Sequence, residues 1–239
     1  MMNEERKVIR RCAVCGDPID YSDGTSEATC KCNKQRKFDA LARKLSGIGW
    51  IYKEMNESCF ENDKGFNPEI VRQAKEYADQ FPEMLKNNVG IIFYGSVGTG
   101  KTFMAECIAN EIRRGFFSTF TISAAQITQT HVSEQDSAAN EYILIKLIRN
   151  SDLMIIDDLG AERTSEYAGE RMFKIIDERY TTAKPLIITT NLSPEELKKI
   201  RQENRSYNRA LNMASIPIKM DGIRIRDELA REKAKEYKL

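Results

Sequence analysis

The sequence predicts an α/β fold in three layers, a parallel sheet between two sets of helices, and three observations carry that expectation. From Val89 onward, short apolar runs alternate with longer segments of helical periodicity, the pattern of successive βαβ units. A glycine-rich stretch, Gly95-Ser96-Val97-Gly98-Thr99-Gly100-Lys101-Thr102, stands where one apolar run gives way to a helical one. A later apolar run, Leu153 to Asp158, ends in two aspartates.

Residues 1–45 are polar and hold four of the six cysteines, then end in the basic helical stretch CNKQRKFDALARKL. SGIG follows as punctuation, so the reading is a small module at 1–45, a linker at 46–54 and a main domain at 55–239. Within the main domain NPEIVRQAKEYADQF reads as a helix, with Asn67 placed to cap it and Pro68 suited to its first turn. VGIIFYG is a strand, KTFMAECIANEIRRG a helix closed by Gly115, and FSTFTI a second strand. SAANEYILIKLIRN is helical, DLMIIDD a third strand and SEYAGERMFKIIDERYTTA a long helix. PLIITTN is the fourth strand, and SPEELKK starts a helix well, with Ser193, Pro194 and two glutamates. ENRSYNRALNMA, IPIKM and the charged helix RDELAREKAKEYKL complete the chain.

The 239 residues are 41% hydrophobic and 31% charged, ordinary for a globular protein. A net charge of +1 sets up no global field toward nucleic acid or membrane. No apolar stretch approaches the roughly 20 residues that span a bilayer. The beginning, MMNEERKVIRR, lacks the apolar core of a signal peptide. The expectation is a cytoplasmic protein.

The glycine-rich stretch fits G-x-x-x-x-G-K-[ST], and chemistry gives each part a task. Glycines let the backbone wrap so that its N–H groups converge on phosphate oxygens. The helix that follows, entered through Phe103, aims its N-terminal dipole at the same anion. Lys101 reaches the β and γ phosphates of ATP, and the Thr102 hydroxyl ligates Mg²⁺. Asp157, at the end of a buried strand, is placed to hold the same ion, and Asp158 to orient or deprotonate an attacking water. Asn191, ending PLIITTN, lies where ligands bind in parallel sheets. It either hydrogen-bonds the γ-phosphate or caps the next helix, for which Ser193 is the better cap. Arg205 and Arg209, four apart, share a helix face. Each of these, like Arg226 beyond the DG turn, serves a transition state or simply the surface.

These motifs, YGSVGTGKT, LMIIDDLGAE, PLIITTNL and RSYNRAL in that order, resemble the AAA+ ATPases of the DnaC/DnaI replicative helicase loader type, phage-encoded members included. The resemblance covers nearly the whole chain and implies an AAA+ P-loop core with little or no helical lid. It makes Lys101 and Thr102 the Walker A pair, Asp157 and Asp158 the Walker B pair, and Asn191 sensor 1. Arg209 takes the arginine-finger position, acting on ATP held by a neighbouring subunit. Arg226 is similar in placement to the sensor 2 arginine, with Arg224 its rival. Asp158 departs from the wider AAA+ pattern, where glutamate is usual, so a slow, switch-like ATPase is implied. The family also implies a DnaB-type hexameric helicase gripped by the N-terminal module and placed on single-stranded DNA.

Cys12-x2-Cys15 and Cys30-x-Cys32 form two tight knuckles whose thiolates suit tetrahedral Zn²⁺; disulfides would need an oxidising compartment. A module this short depends on its metal to fold, and docking on the helicase is its expected task. Lys34, Arg36, Lys37, Arg43 and Lys44 offer single-stranded DNA a basic helix face or are merely solvated. Cys107 reads as core, Cys59 as unpartnered and His131 as surface. Trp50 is a hinge contact or a docking anchor. Residues 124–149 fall where initiator-type AAA+ proteins insert a helix facing DNA, but QITQTHVSEQDS has no basic cluster. Two other readings stand beside the loader. One is an IstB-type transposition helper that binds duplex DNA, and the other a non-enzymatic adaptor with a nucleotide-locked core.

Overall fold

A computed structural model describes residues 7–26, 29–46, 58–63, 67–129, 137–161, 165–222 and 224–236. Two short strands, β1 (Val8–Arg11) and β2 (Pro18–Tyr21), pair antiparallel and lead into α1 (Lys31–Ser46). A single 3₁₀ turn at Phe60–Asn62 precedes α2 (Pro68–Asp79) and α3 (Phe81–Lys86). One helix was expected here. The chain breaks at Gln80 because Pro82 has no N–H to continue the ladder. Asn67 makes no side-chain cap, although Pro68 does occupy the first turn of α2.

The main sheet is laid out by β3 (Ile91–Tyr94), α4 (Lys101–Arg114), β4 (Thr119–Ser123), α5 (Ala124–Gln129), α6 (Ser137–Asn150), β5 (Leu153–Leu159), α7 (Glu166–Tyr180) and β6 (Leu186–Thr190). It is completed by α8 (Pro194–Glu203), α9 (Arg205–Met213), β7 (Ile216–Lys219) and α10 (Ile225–Glu236). Its five strands run in the order β4-β5-β6-β3-β7, every neighbouring pair parallel. Both faces are apolar, and strand alternation deals the side chains between them. Ile91, Phe93, Leu153, Ile155 and Ile187 pack toward α2, α3 and α4. Ile92, Met154, Ile156, Leu186 and Ile188 pack toward α6, α7 and α9. The three-layer sandwich expected from the alternating pattern is therefore the one observed. No helix among the described residues is long and apolar enough to cross a membrane.

The segment 1–45 divides in two. The hairpin and cysteines stand outside the core, but Phe38, Ala42 and Leu45 of α1 are buried in the same cluster as Leu144, Leu147 and Ile148 of α6. Their helical spacing gives α1 an apolar stripe, and that stripe binds it to the main domain. Gln35 donates to the Arg113 carbonyl and Arg113 pairs with Asp39 at 3.2 Å, adding a polar edge to the contact with α4. Nearly all of the 46–54 linker lies outside the described residues, as do His131 and Trp50.

At the end of the sheet away from the glycine loop, Arg179 of α7 is fully buried. Its guanidinium donates to the carbonyls of Ile148, Ser151, Asp152 and Pro185, at 2.5–3.1 Å, and to the Ser151 hydroxyl. It thus satisfies the C-terminal carbonyls of α6 and ties the starts of β5 and β6 together. Burial lowers its pKa, against the pull of Asp152. Replacing it by methionine leaves those acceptors buried and unpaired. Arg179→Met should cost about 3–5 kcal/mol, read as a lower urea midpoint at unchanged slope.

Candidate nucleotide site

The loop between β3 and α4 is shaped by residues that only glycine can supply. Gly95 has φ +131°, and a Cβ there would lie 2.5 Å from the Met220 carbonyl oxygen. Gly100, at φ +91°, turns the chain directly into α4. Val97 at the crest is exposed, Thr99 is buried with its hydroxyl on the Ser96 carbonyl, and Phe103 packs on the core beneath. Lys101 is 7% exposed and folds back across the loop, its Nζ donating to the carbonyls of Gly95 at 2.9 Å and Ser96 at 2.6 Å. The ammonium therefore sits over the loop that a phosphate would fill.

Because β3, β6 and β5 are neighbours in a parallel sheet, their C-terminal ends bring three of the expected motifs together. Asp157 Oδ1 accepts from the Thr102 hydroxyl at 2.8 Å and from the Thr189 hydroxyl at 2.6 Å. The register between β5 and β6 shifts between Ile156 and Leu159, and Asp158 absorbs the extra residue with φ +57°. Such a bulge re-aims a side chain that simple alternation would send to the opposite face. Thr189 pins it by accepting the Asp158 N–H at 2.9 Å. Asn191 Nδ2 donates to Asp158 Oδ1 at 2.7 Å. Ser193 is the cap of α8, in a reciprocal capping box with Glu196, which leaves the Asn191 amide free for this bond. Burial, and then the neighbouring Asp157 charge, push the Asp158 carboxyl above the usual carboxylate range, with Lys101 pulling the other way.

Thr189 and Asp221 join the site without having been expected there. Thr189 is the first polar side chain after LII in an otherwise apolar strand, the one local signal it offers. Asp221 follows β7, accepts from the Ser96 N–H at 3.2 Å and its hydroxyl at 3.3 Å, and pairs with Lys219 at 2.7 Å. Lys219 holds the Asp221 carboxyl below the usual range. Ile225 of α10 reaches over the loop, its Cδ1 3.0 Å from where a Gly100 Cβ would stand.

Arg209 pairs with Asp177 of its own α7 and lies over the rings of Tyr180 and Phe173, at 5.0 and 5.9 Å. Arg205 is exposed at the start of α9. Arg224 is exposed and 3.9 Å from Asp227, and the side chain of Arg226 lies outside the described residues.

The four cysteine sulfurs of Cys12, Cys15, Cys30 and Cys32 all lie within 4.8 Å of one another, with contacts of 3.3 Å between Cys30 and Cys32 and 3.6 Å from Cys12 to each. Four thiolates about 2.3 Å from one zinc sit about 3.8 Å apart, so this donor set fits the ion. Backbone N–H groups of Cys15 and Val14 lower the Cys12 thiol to about 6, while hydrogen bonding to Cys30 and burial push Cys32 up to about 12. Cys107 is buried, and burial pushes its thiol up to about 12.

Comparison with known proteins agrees with this geometry. The family described as IstB-like ATP binding protein matches residues 30–227. The replicative helicase loader DnaI of Bacillus subtilis is 24% identical over 224 residues, covering 87% of this chain and 70% of that protein. The replicative helicase loader DnaC of Escherichia coli is 30% identical over 132 residues, 55% of this chain, so the match spans about half (53%) of that relative's length. A solved structure of the DnaC helicase loader superposes with a TM-score of 0.57 at 20% identity, covering 71% of this chain and 99% of that one. This likeness shows the fold alone, the α/β sandwich with its parallel sheet.

If the cysteine cluster holds zinc, elemental analysis of the purified protein should find about one zinc per chain. Cys12→Ser with Cys15→Ser should remove it without abolishing nucleotide binding.

Proposed function

The chain belongs to the IstB-like ATP-binding protein family, and from that premise we propose that it is an ATPase that loads a DnaB-type replicative helicase onto single-stranded DNA. One observation carries the ATPase half: at the ends of three adjacent parallel strands, Thr102, Asp157, Asp158 and Asn191 are linked by hydrogen bonds, directly or through Thr189, and Lys101 lies across the loop beside them. The helicase half is supported by the relatives, two of which bear the name of replicative helicase loader.

In this reading Lys101 leaves the carbonyls of Gly95 and Ser96 for the β and γ phosphates, exchanging neutral acceptors for anionic ones. Thr102 and Asp157 already share a hydrogen bond and supply the hard oxygen donors that Mg²⁺ takes, and the ion when bound would neutralise phosphate charge. Asp158, with its raised pKa, accepts the proton of the attacking water. Asn191 holds that carboxylate and the water in line. Arg209, released from Asp177, places its guanidinium on ATP in a neighbouring subunit. Arg226 or Arg224, from α10, approaches the same phosphates in its own subunit. The short reach of Asp158 makes turnover slow, so ATP acts as a switch between helicase-bound and released states. The cysteine module, holding zinc, docks on the helicase.

One observation favours a second reading, a transposition helper acting on duplex DNA: the matching family carries the IstB name. Capture of a replicative helicase by the full chain, with ATP and with ADP, decides between them. ATP-dependent capture that the Cys12→Ser, Cys15→Ser variant loses supports the loader. Absence of capture in every nucleotide state, with duplex binding in ATP, supports the helper.

Two substitutions test the chemistry. Asp158→Ala should abolish turnover while leaving ATP affinity within about threefold; a wild type that shows no turnover to lose would assign the protein to a non-enzymatic adaptor. Thr189→Val, which removes only the hydroxyl that orients both aspartates, should lower the rate about 10- to 100-fold.

A further inference from the structure

The end of the sheet opposite the nucleotide loop carries a second feature. A groove of about 680 Å³ opens between α1, the entry to β4 and the C-terminal end of α6. Lys31, Lys34 and Lys37 of α1, Lys146 of α6 and Lys184 before β6 line it, against a single carboxylate, Asp152. That carboxylate accepts from the Ser118 N–H and hydroxyl at 2.9 Å each and pairs with Lys184 at 3.7 Å, while Lys31 pairs with Asp17 at 3.8 Å. Other cations around these helices have acidic partners: Arg113 of α4 has Asp39, Arg149 of α6 has Glu178 and Arg171 of α7 has Glu141. Lys34 and Lys37 are exposed and make no ion pair among the described residues. A chain of net charge +1 thus gathers into one concavity three ammonium groups, those of Lys34, Lys37 and Lys146, that have no acidic partner among the described residues.

Two aromatic rings accompany them. Phe116 follows Gly115 at the end of α4 and itself adopts the left-handed conformation, φ +66°, which leaves its ring half-buried on the groove wall with Lys31 Nζ 5.7 Å from the centroid. A bulky residue holds such a φ only when its surroundings impose it. Tyr142, one turn before Lys146, stands outside the groove's lining and is 64% exposed, joined to it through the Lys146 ammonium 5.2 Å from its ring.

We propose that this groove is a binding track for the backbone of a single-stranded nucleic acid, with Lys34, Lys37 and Lys146 on its phosphates and Phe116 and Tyr142 as stacking faces for its bases. Lysines spaced three apart along α1 rise about 4.5 Å at each step, a linear array that matches a linear polyanion better than a point anion. Unpaired bases expose the π faces that a duplex hides, and lysine beside exposed aromatics is the chemistry that holds them. Of the basic residues on α1, Lys34 and Lys37 line the groove, whereas Arg36, Arg43 and Lys44 do not. The inference rests on the loader reading for its ligand and supplies that ligand with a location away from the ATP loop.

The test is fluorescence anisotropy with a labelled oligothymidine and the full chain, titrated at several salt concentrations. Lys34→Glu with Lys37→Glu should weaken binding at least tenfold and flatten the slope of log K against log salt by about 1.4, two phosphate contacts at about 0.7 each. Lys198→Glu with Lys199→Glu, the same charge change on exposed positions of α8, should leave both unchanged. An unlabelled duplex of equal length should compete at least tenfold more weakly. A groove variant that binds like the wild type, or no better separated from it than the α8 control, overturns the groove and leaves the loader reading standing. Equal competition by duplex overturns the single-strand assignment, and a wild type with no affinity for the oligonucleotide overturns the track altogether. Helicase capture by the same preparations separates the two ideas: lost capture with groove-dependent binding retained would sink the loader and keep the track.

Discussion

A single carboxylate oxygen, Asp157 Oδ1, accepts hydroxyl hydrogen bonds from α4 through Thr102 and from β6 through Thr189. The rest of the site is arranged around that pair. Thr102 carries with it the helix that the glycine loop opens. Thr189 spends its other capacity on the Asp158 N–H and so fixes the one-residue bulge that gives Asp158 its direction. Asp158 in turn holds Asn191. Three chain segments from three regions of the sequence are thereby held in one register by short polar contacts. The apolar parts of the same strands, buried on both faces, supply the rigidity that such contacts need.

The opposite end of the sheet is organised by a charge of the other sign. Arg179 gathers the carbonyls that close α6 and open β5 and β6, and Lys184 adds its ammonium to the last carbonyls of α6 at 3.3–3.4 Å. Buried cationic donors at helix C-termini complement the macrodipole there, as the loop glycines and α4 complement an anion at the other end. The sheet therefore separates two electrostatic regions, and α1 lies beside the second. Because Phe38, Ala42 and Leu45 anchor α1 in the core, the cysteine cluster at its start is fixed to the main domain through a buried helix.

Much of this was legible in the sequence because the signals are local. The strands are apolar runs, the glycine loop is a contiguous pattern, and Asp157, Asp158 and Asn191 terminate strands whose ends must be adjacent in a parallel sheet. The choice of Ser193 over Asn191 as cap was legible too, since a capping box is written in four residues. What escaped depends on partners distant in the chain. Thr189 gains its role from Asp158 in a strand 31 residues earlier, and Asp221 from Ser96, 125 residues away. Arg179 sits in a charged helix, IIDERY, whose arginine reads as solvated until α6 and β6 close over it. The β1–β2 hairpin lacks an apolar alternation because its cysteines do the work of a core, and Phe116 takes the left-handed conformation that Gly115 beside it would have accepted more cheaply.

Arg209 shows how the proposed chemistry can be tied to assembly. Its guanidinium already faces a carboxylate, Asp177, and two aromatic rings of its own subunit. Moving from there to a neighbour's phosphate exchanges one anionic acceptor for another, so little free energy separates the two positions in sign or kind. An arginine left unpaired in the isolated chain would gain much more from the phosphate and would drive association by itself. Held by Asp177, it would add little to the drive for the proposed assembly and would act only once other contacts had brought subunits into register. Under that proposal hydrolysis would follow assembly instead of causing it, which is the order a switch requires if it is to hold its cargo first and release it afterwards.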